Sequence, residues 1–195
     1  MNRFFYFLII FVILLGLGAD WVIKKANRSH NIPVLKPVPE FSFLNHRGER
    51  FSEKELRNKI TVLDFMFTSC TGPCPLMTSN MLSLYNDFTG VKDVQFISIT
   101  VDPIIDTQDQ LKEYAKIIGV SDNRWHFLRS DIEAVKVLKR DGFMLFADDL
   151  PQGHAIKFIL IDQNGNIRKY FDGTDSGSND VLKKDIVKLV NEYRS

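Results

Sequence analysis

Apolar and polar positions along the chain fall into two regimes joined by a polar stretch. From Phe4 to Ala19 no residue is charged and nearly all are apolar. Asp20 interrupts the run, and Trp21, Val22 and Ile23 follow. About 20 such residues suffice to cross a bilayer as a helix, and Trp21 and Asp20 suit the interface. Residues 1–23 are therefore expected to form a transmembrane anchor. A cleaved signal peptide is the rival reading. Its cleavage site wants an Ala-x-Ala pattern, whereas Ala19 has Leu17 two positions before it. Residues 24–37 are expected to be a linker, with Pro33 and Pro37, and Pro39 just beyond, favouring extended backbone.

From residue 38 the pattern changes to alternating β and α periods. Phe41 to Leu44 predicts a short strand, Asn45-His46-Arg47-Gly48 a turn, and Phe51 onward a second short strand or turn. Ile60 to Phe67 is mostly apolar, as a central strand covered on both faces should be. After Pro75, the residues Leu76, Met77, Met81, Leu82 and Tyr85 recur at helical spacing. Val94 to Val101 predicts a strand. Thr107-Gln108-Asp109-Gln110 fits a capping box opening a helix with Leu111, Tyr114 and Ile118. Trp125 to Leu128 reads as a strand and Ile132 to Leu138 as a helix. Ile156 to Ile161 and Ile167 to Phe171 flank Asn164-Gly165, a hairpin signal. Val181 to Tyr193 closes the chain as an amphipathic helix. Strands alternating with helices, then a hairpin and a last helix, predict an α/β domain over 38–195: a central mixed sheet flanked by helices.

Composition narrows the chemistry. Of 195 residues 45% are hydrophobic, enough for a core without staples. A net charge of +1 carries no nucleic-acid footprint. Arg3 precedes the apolar run and Lys24, Lys25 and Arg28 follow it; counted alone, these place the C-terminal domain in the cytoplasm. The site chemistry points the other way. Cys70 and Cys74 are the two cysteines. A disulfide framework needs more of them, spread along the chain, and a bridge four residues apart restricts the unfolded chain little. Their proximity points to metal binding or redox chemistry. The loop follows the carboxyl end of a central strand, where open α/β sheets carry their sites. A helix starting at Cys74 and Pro75 favours negative charge on sulfur, and Gly72 and Pro73 allow a sharp turn. Two inert core cysteines are the plain alternative.

A third ligand would come from a histidine. His30 lies in the linker and His46 in a turn, so both read as solvated. His126 alternates with Trp125 and Phe127 and reads as structural. His154 sits just before a strand, after Leu150-Pro151-Gln152-Gly153, and is either a ligand or a surface residue. Met144, in Phe143-Met144-Leu145-Phe146, reads as a core gap-filler.

Three segments together resemble the Sco/SenC family, copper-binding thioredoxin-fold assembly factors for cytochrome c oxidase. They are Asp64-Phe65-Met66-Phe67-Thr68-Ser69-Cys70-Thr71-Gly72-Pro73-Cys74-Pro75, then Ser98 to Thr107 with its Asp102-Pro103 and Asp106-Thr107, then His154 to Gly165. The resemblance spans Val38 to Tyr193. It implies a thioredoxin-like fold, an N-terminal anchor and an extracytoplasmic domain, in the periplasm, on the outer face, or in the intermembrane space of an organelle. It also implies copper, as Cu(I) and in part Cu(II), held by Cys70, Cys74 and His154. The implied partners are a copper donor protein and the copper-bearing subunit of cytochrome c oxidase or a similar cuproprotein. Where the family carries Asp directly before its histidine, this chain has Gly153. Asp102 and Asp106 support the site or, alternatively, make a turn and cap a helix. Two thiolates and an imidazole suit copper by softness. The alternative function is thiol–disulfide exchange at Cys70 and Cys74, reducing the client's copper-accepting cysteines. A peroxidase on the same fold would need its own cysteine motif, which the chain lacks.

Overall fold

The computed structural model describes residues 9, 11–16, 18–19, 32–148, 150–151 and 155–194. The chain divides into two compact units, residues 1–33 and 34–195. In the first, residues 11–16 are helical. The expected anchor over 1–23 lies largely outside the described residues, and no described helix is long and apolar enough to cross a membrane.

The second unit is one eight-stranded mixed sheet. Its strands are β1 (Lys36–Pro37), β2 (Ser42–Asn45), β3 (Arg50–Ser52), β4 (Ile60–Met66), β5 (Val94–Thr100), β6 (Trp125–Arg129), β7 (Lys157–Ile161) and β8 (Asn166–Asp172), in the spatial order β1-β8-β7-β4-β5-β6-β2-β3. The helices are α1 (Cys74–Asp87), α2 (Gln108–Ile117), α3 (Ile132–Val137) and α4 (Ser176–Arg194). Strands β4, β5 and β6 run parallel and the outer strands antiparallel. Parallel neighbours need a crossover, supplied by α1 between β4 and β5 and by α2 between β5 and β6. Every residue of β4 and β5 is buried, which explains the mostly apolar sequence of β4; the polar residues of β5, Gln95, Ser98 and Thr100, are buried with it. The expected α/β domain with a mixed sheet is present. Lys36–Pro37, the last residues of the expected linker, join its edge as β1.

Side chains alternate across the strands, so β4 feeds two cores. Leu63 and Phe65 join Ile97, Ile99, Leu128, Val135 and Phe143 on the α3 side. Val62, Asp64 and Met66 share the other face with Phe96, Ser98 and Thr100, their partners in register. That face meets Tyr85 of α1, which packs on Phe96 and Trp125, and Tyr114 of α2, which packs on Phe127. The β7–β8 turn is built as predicted. Gly165 takes φ 76°, a conformation open to glycine without cost, and Asp162 accepts from the backbone N–H of Asn164 and Asn166 while pairing with Arg168.

Two sequence readings change. Met144 is not core: its side chain is 61% exposed at φ 52°. Neighbouring bonds tie down the segment around it, from Leu145 N–H to the Lys139 carbonyl and from the Tyr170 hydroxyl to the Phe143 carbonyl. Lys139, buried, also bonds the Phe146 carbonyl. His46 is not solvated either; it is 6% exposed. Its Nδ1 accepts the Phe127 N–H at 3.2 Å, and its Nε2 lies 3.4 Å from Arg47 Nη1. Arg47 Nη2 donates to His126 Nδ1 at 2.9 Å.

Burial, then the Arg47 charge, lower the pKa of both His46 and His126 to about 4; Glu49 opposes this, while Lys112 adds to it at His46. Protonating either ring sets a proton against a donor already in place. Because the folded pKa lies below the unfolded value, the unfolded state binds more protons between pH 6.5 and 4. Stability is full above that window and falls as pH falls through it, by up to about 3 kcal/mol per histidine. Denaturant unfolding from pH 7 to 4 should show this loss, reduced in a His46→Gln, His126→Gln double variant. Parallel curves for the two proteins would remove the histidines as the cause.

Candidate functional site: a dithiol held from the neighbouring loop

The buried strand β4 delivers the chain at Met66 into Phe67-Thr68-Ser69-Cys70-Thr71-Gly72-Pro73, and α1 begins at Cys74 with Pro75 in its first turn. Proline is tolerated there because its missing N–H has no helical partner anyway. The Cys70 N–H donates to the Phe67 carbonyl at 3.3 Å, turning the loop back over the strand end. Both cysteines are thiols; Cys70 is partly exposed and Cys74 is 3% exposed. The structure brings these two predicted residues together, and their side chains hydrogen-bond to each other.

A helix start was expected to ease ionisation of both sulfurs. For Cys74 the opposite holds. Burial first, then the hydrogen bond to Cys70, push its thiol far up; a bond from the Phe67 backbone N–H works against this, and the charges of Cys70 and Asp64 add to it. Desolvation disfavours the charged form more strongly than a single backbone donor favours it. In the metal-free protein Cys74 is therefore a neutral thiol, and any ion that takes it as thiolate must displace a proton.

The loop is fixed from outside. Asp106, fully buried, accepts the Thr68 hydroxyl at 2.5 Å and the Thr68 N–H at 3.1 Å, and from β5 the Thr100 hydroxyl at 2.5 Å. The helix-cap reading of Asp106 is thus replaced: Thr107 caps α2, accepting the Gln110 N–H at 3.2 Å. Asp102 keeps its turn role, with Oδ1 accepting the Ile105 N–H at 3.4 Å.

Asp64, part of the strand that leads into the cysteine loop, is a chemical group that the motif alone does not single out. It lies in β4, 2% exposed, bonded to Ser98, whose Oγ accepts Trp125 Nε1–H at 3.0 Å. Its Oδ1 has no hydrogen-bond partner among the described residues. Burial pushes its carboxyl up to about 7. One acid inside an otherwise apolar run was the available signal, since buried carboxyls are rare without a task. His154 lies outside the described residues. Strand β7, which begins three residues later, runs antiparallel to β4, so its amino end shares the sheet end that carries the cysteine loop.

Residues 33–191 match the family model SCO1/SenC. The chain is 29% identical over 160 residues to the SCO1 protein homolog of Bacillus subtilis, covering 79% of this chain and 83% of that one. A SCO1/SenC family lipoprotein from Bacillus anthracis superposes with TM-score 0.73 at 33% identity, covering 80% of this chain and 95% of the other. The Arabidopsis thaliana ScoI structure with copper bound gives TM-score 0.67 at 26% identity, covering 80% and 98%.

Asp64 generates a prediction. Its folded pKa lies above the unfolded value, so its favourable contribution is complete below about pH 4 and is lost as pH rises to about 7. Relative to Asp64→Asn, the wild type should lose on the order of 4 kcal/mol across that window. The variant should also titrate Cys74 at lower pH, because a nearby negative charge is removed. Unfolding curves from pH 4 to 8 and thiol alkylation against pH check the two effects. A wild-type-minus-variant difference that does not change with pH would show that Asp64 ionises normally.

Proposed function

We propose a copper-carrying role for this chain, which belongs to the SCO1/SenC family. The reduced domain takes one Cu(I) through the Cys70 and Cys74 thiolates and the His154 imidazole, and accepts Cu(II) at the same place. The ion is cargo, received from a donor protein and passed to the copper-bearing subunit of cytochrome c oxidase or a similar cuproprotein. The observation that carries this reading is the pairing of two thiols at the β4–α1 junction, one reachable from solvent and one buried. The donor set fits a soft ion: thiolate and imidazole select copper over hard cations. A structural zinc site usually takes four ligands. The copper-bound ScoI relative supports the choice of metal.

Thiol–disulfide exchange is the second reading, favoured by the asymmetry of the pair. The partly exposed Cys70, as thiolate, attacks a client disulfide and releases one client thiolate. Cys74 then gives up its proton and displaces the second client sulfur, leaving a Cys70–Cys74 disulfide and a reduced client. Both roles use the same sulfurs, and the oxidised pair cannot ligate Cu(I) as thiolates. Residues 1–23 serve as the membrane anchor with the domain outside the cytoplasm, where a copper client and a redox partner would both be met.

Anaerobic titration of the reduced protein should give one Cu(I) per chain. Cys70→Ser or Cys74→Ser should nearly abolish binding; His154→Ala should weaken it and remove the Cu(II) spectrum. Unchanged affinity and spectra for His154→Ala would make His154 a bystander. In cells at low copper, His154→Ala should fail to support oxidase assembly; full support by that variant, with failure of Cys70→Ser, would put exchange first. Reporters fused after Ser195 should be active only in the extracytoplasmic form, and a signal from the cytoplasmic reporter alone would overturn the placement.

A further inference from the structure

Arg129 ends β6 and reaches into the loop that follows β5. Its Nε–H donates to the Asp106 carbonyl at 3.2 Å and its Nη2–H to the Pro103 carbonyl at 3.0 Å. That loop is stiffened by its own bonds: Asp102 N–H to Thr100 Oγ1, Asp106 N–H to the Asp102 carbonyl, and Thr107 N–H to the Ile105 carbonyl. Asp106 is thus held twice, by its carbonyl from β6 and by its carboxylate on Thr68 and Thr100.

We propose that Arg129 is a positioning residue for the dithiol site, acting on Cys70 through Asp106 and Thr68. The proposal rests on the copper reading and names part of the machinery behind it. A residue held at its carbonyl and at its carboxylate has little freedom left, so a shift at Arg129 reaches the Thr68 N–H and hydroxyl. Thr68 is two residues before Cys70, and the Phe67 carbonyl that accepts the Cys70 N–H belongs to the peptide that carries the Thr68 N–H. The rotation of that single peptide therefore orients both bonds. A planar guanidinium spans two carbonyls at fixed separation; an ammonium is a compact point and does not reproduce that fork. Arg129 also lines an open cavity of about 630 Å³ beside Leu44, Arg50 and Ile104. A methionine there keeps much of the aliphatic stem without opening a hole in the core. Because Thr100 still holds Asp106 when Arg129 is gone, the effect is a loosening and not a loss of the site.

The test is a double-mutant cycle in the full chain with Arg129→Met, Thr68→Val and both together. Anaerobic chelator competition gives Cu(I) affinity, and residue-resolved amide exchange without metal gives protection at position 68. Arg129→Met should weaken Cu(I) about tenfold, equal to about 1.4 kcal/mol, and speed exchange at position 68 about tenfold. In the Thr68→Val background the same change should cost less than about threefold, because residues acting through one network do not add. Arg129→Lys should fall between wild type and Arg129→Met, and serves in its place if the methionine variant does not fold. Additive effects, or wild-type affinity and exchange in Arg129→Met, would overturn the proposal. Should the wild type bind no Cu(I), the copper reading fails; the proposal is then judged by exchange at position 68 and by the Cys70 alkylation rate, and unchanged values in Arg129→Met overturn it.

Discussion

A fully buried carboxylate bonded by Thr68 and Thr100 sets the terms for the end of this sheet that carries the cysteine loop. Asp106 receives two hydroxyls and a backbone N–H, from Thr68 and Thr100. Hydrogen bonds to a charged acceptor each contribute about 1.5–3 kcal/mol, and leaving the carboxylate unsatisfied costs at least as much. The three donors are thus coupled to one another, and the two loops that supply them cannot separate cheaply. The parallel trio β4, β5, β6 makes this possible. Parallel strands present their carboxyl ends side by side, so the loops after β4, β5 and β6 emerge together. The cysteines ride on the first loop, Asp106 lies in the second, and Arg129 closes the strand before the third.

The strand patterns were readable because each obeys a local rule. Ile60 to Met66 is mostly apolar and Val94 to Thr100 alternates Phe96, Ile97 and Ile99 with polar residues because both strands are buried, and Asn164-Gly165 marks a turn because Gly165 adopts a positive φ. The cysteine pair was readable for the same reason: spacing and the strand-to-helix context lie within one stretch of ten residues. What escaped depends on partners far away in sequence. His46 reads as a loop histidine until Phe127 and Arg47 are seen around it. Asp106 has the look of a cap just before a helix, and its partners are Thr100 and, 38 residues earlier, Thr68. Met144 is apolar and flanked by aromatics, yet backbone bonds on either side turn it outward. Burial of Cys74 reverses the effect expected from its helix start, since propensity and dipole arguments contain no desolvation.

The two proposed chemistries make opposing demands on the same two sulfurs. A disulfide needs its sulfurs about 2.05 Å apart, whereas two thiolates on one metal ion stand farther apart, each at its own metal–sulfur bond. Cys74 is committed to α1 and buried under it, so the adjustment falls on Cys70. Thr68, two residues before it, is fixed by Asp106, while Thr71 and Gly72 after it are exposed. One end of the loop is therefore stiff and the other yielding. The thiols begin hydrogen-bonded to each other. Both exits require a proton to leave the buried sulfur, by displacement by a metal ion or by ionisation for exchange. A neutral thiol also keeps the site from holding an uncompensated buried charge, which would cost several kcal/mol. In the copper reading the bound ion takes the place of that proton, so the affinity of the site depends on pH.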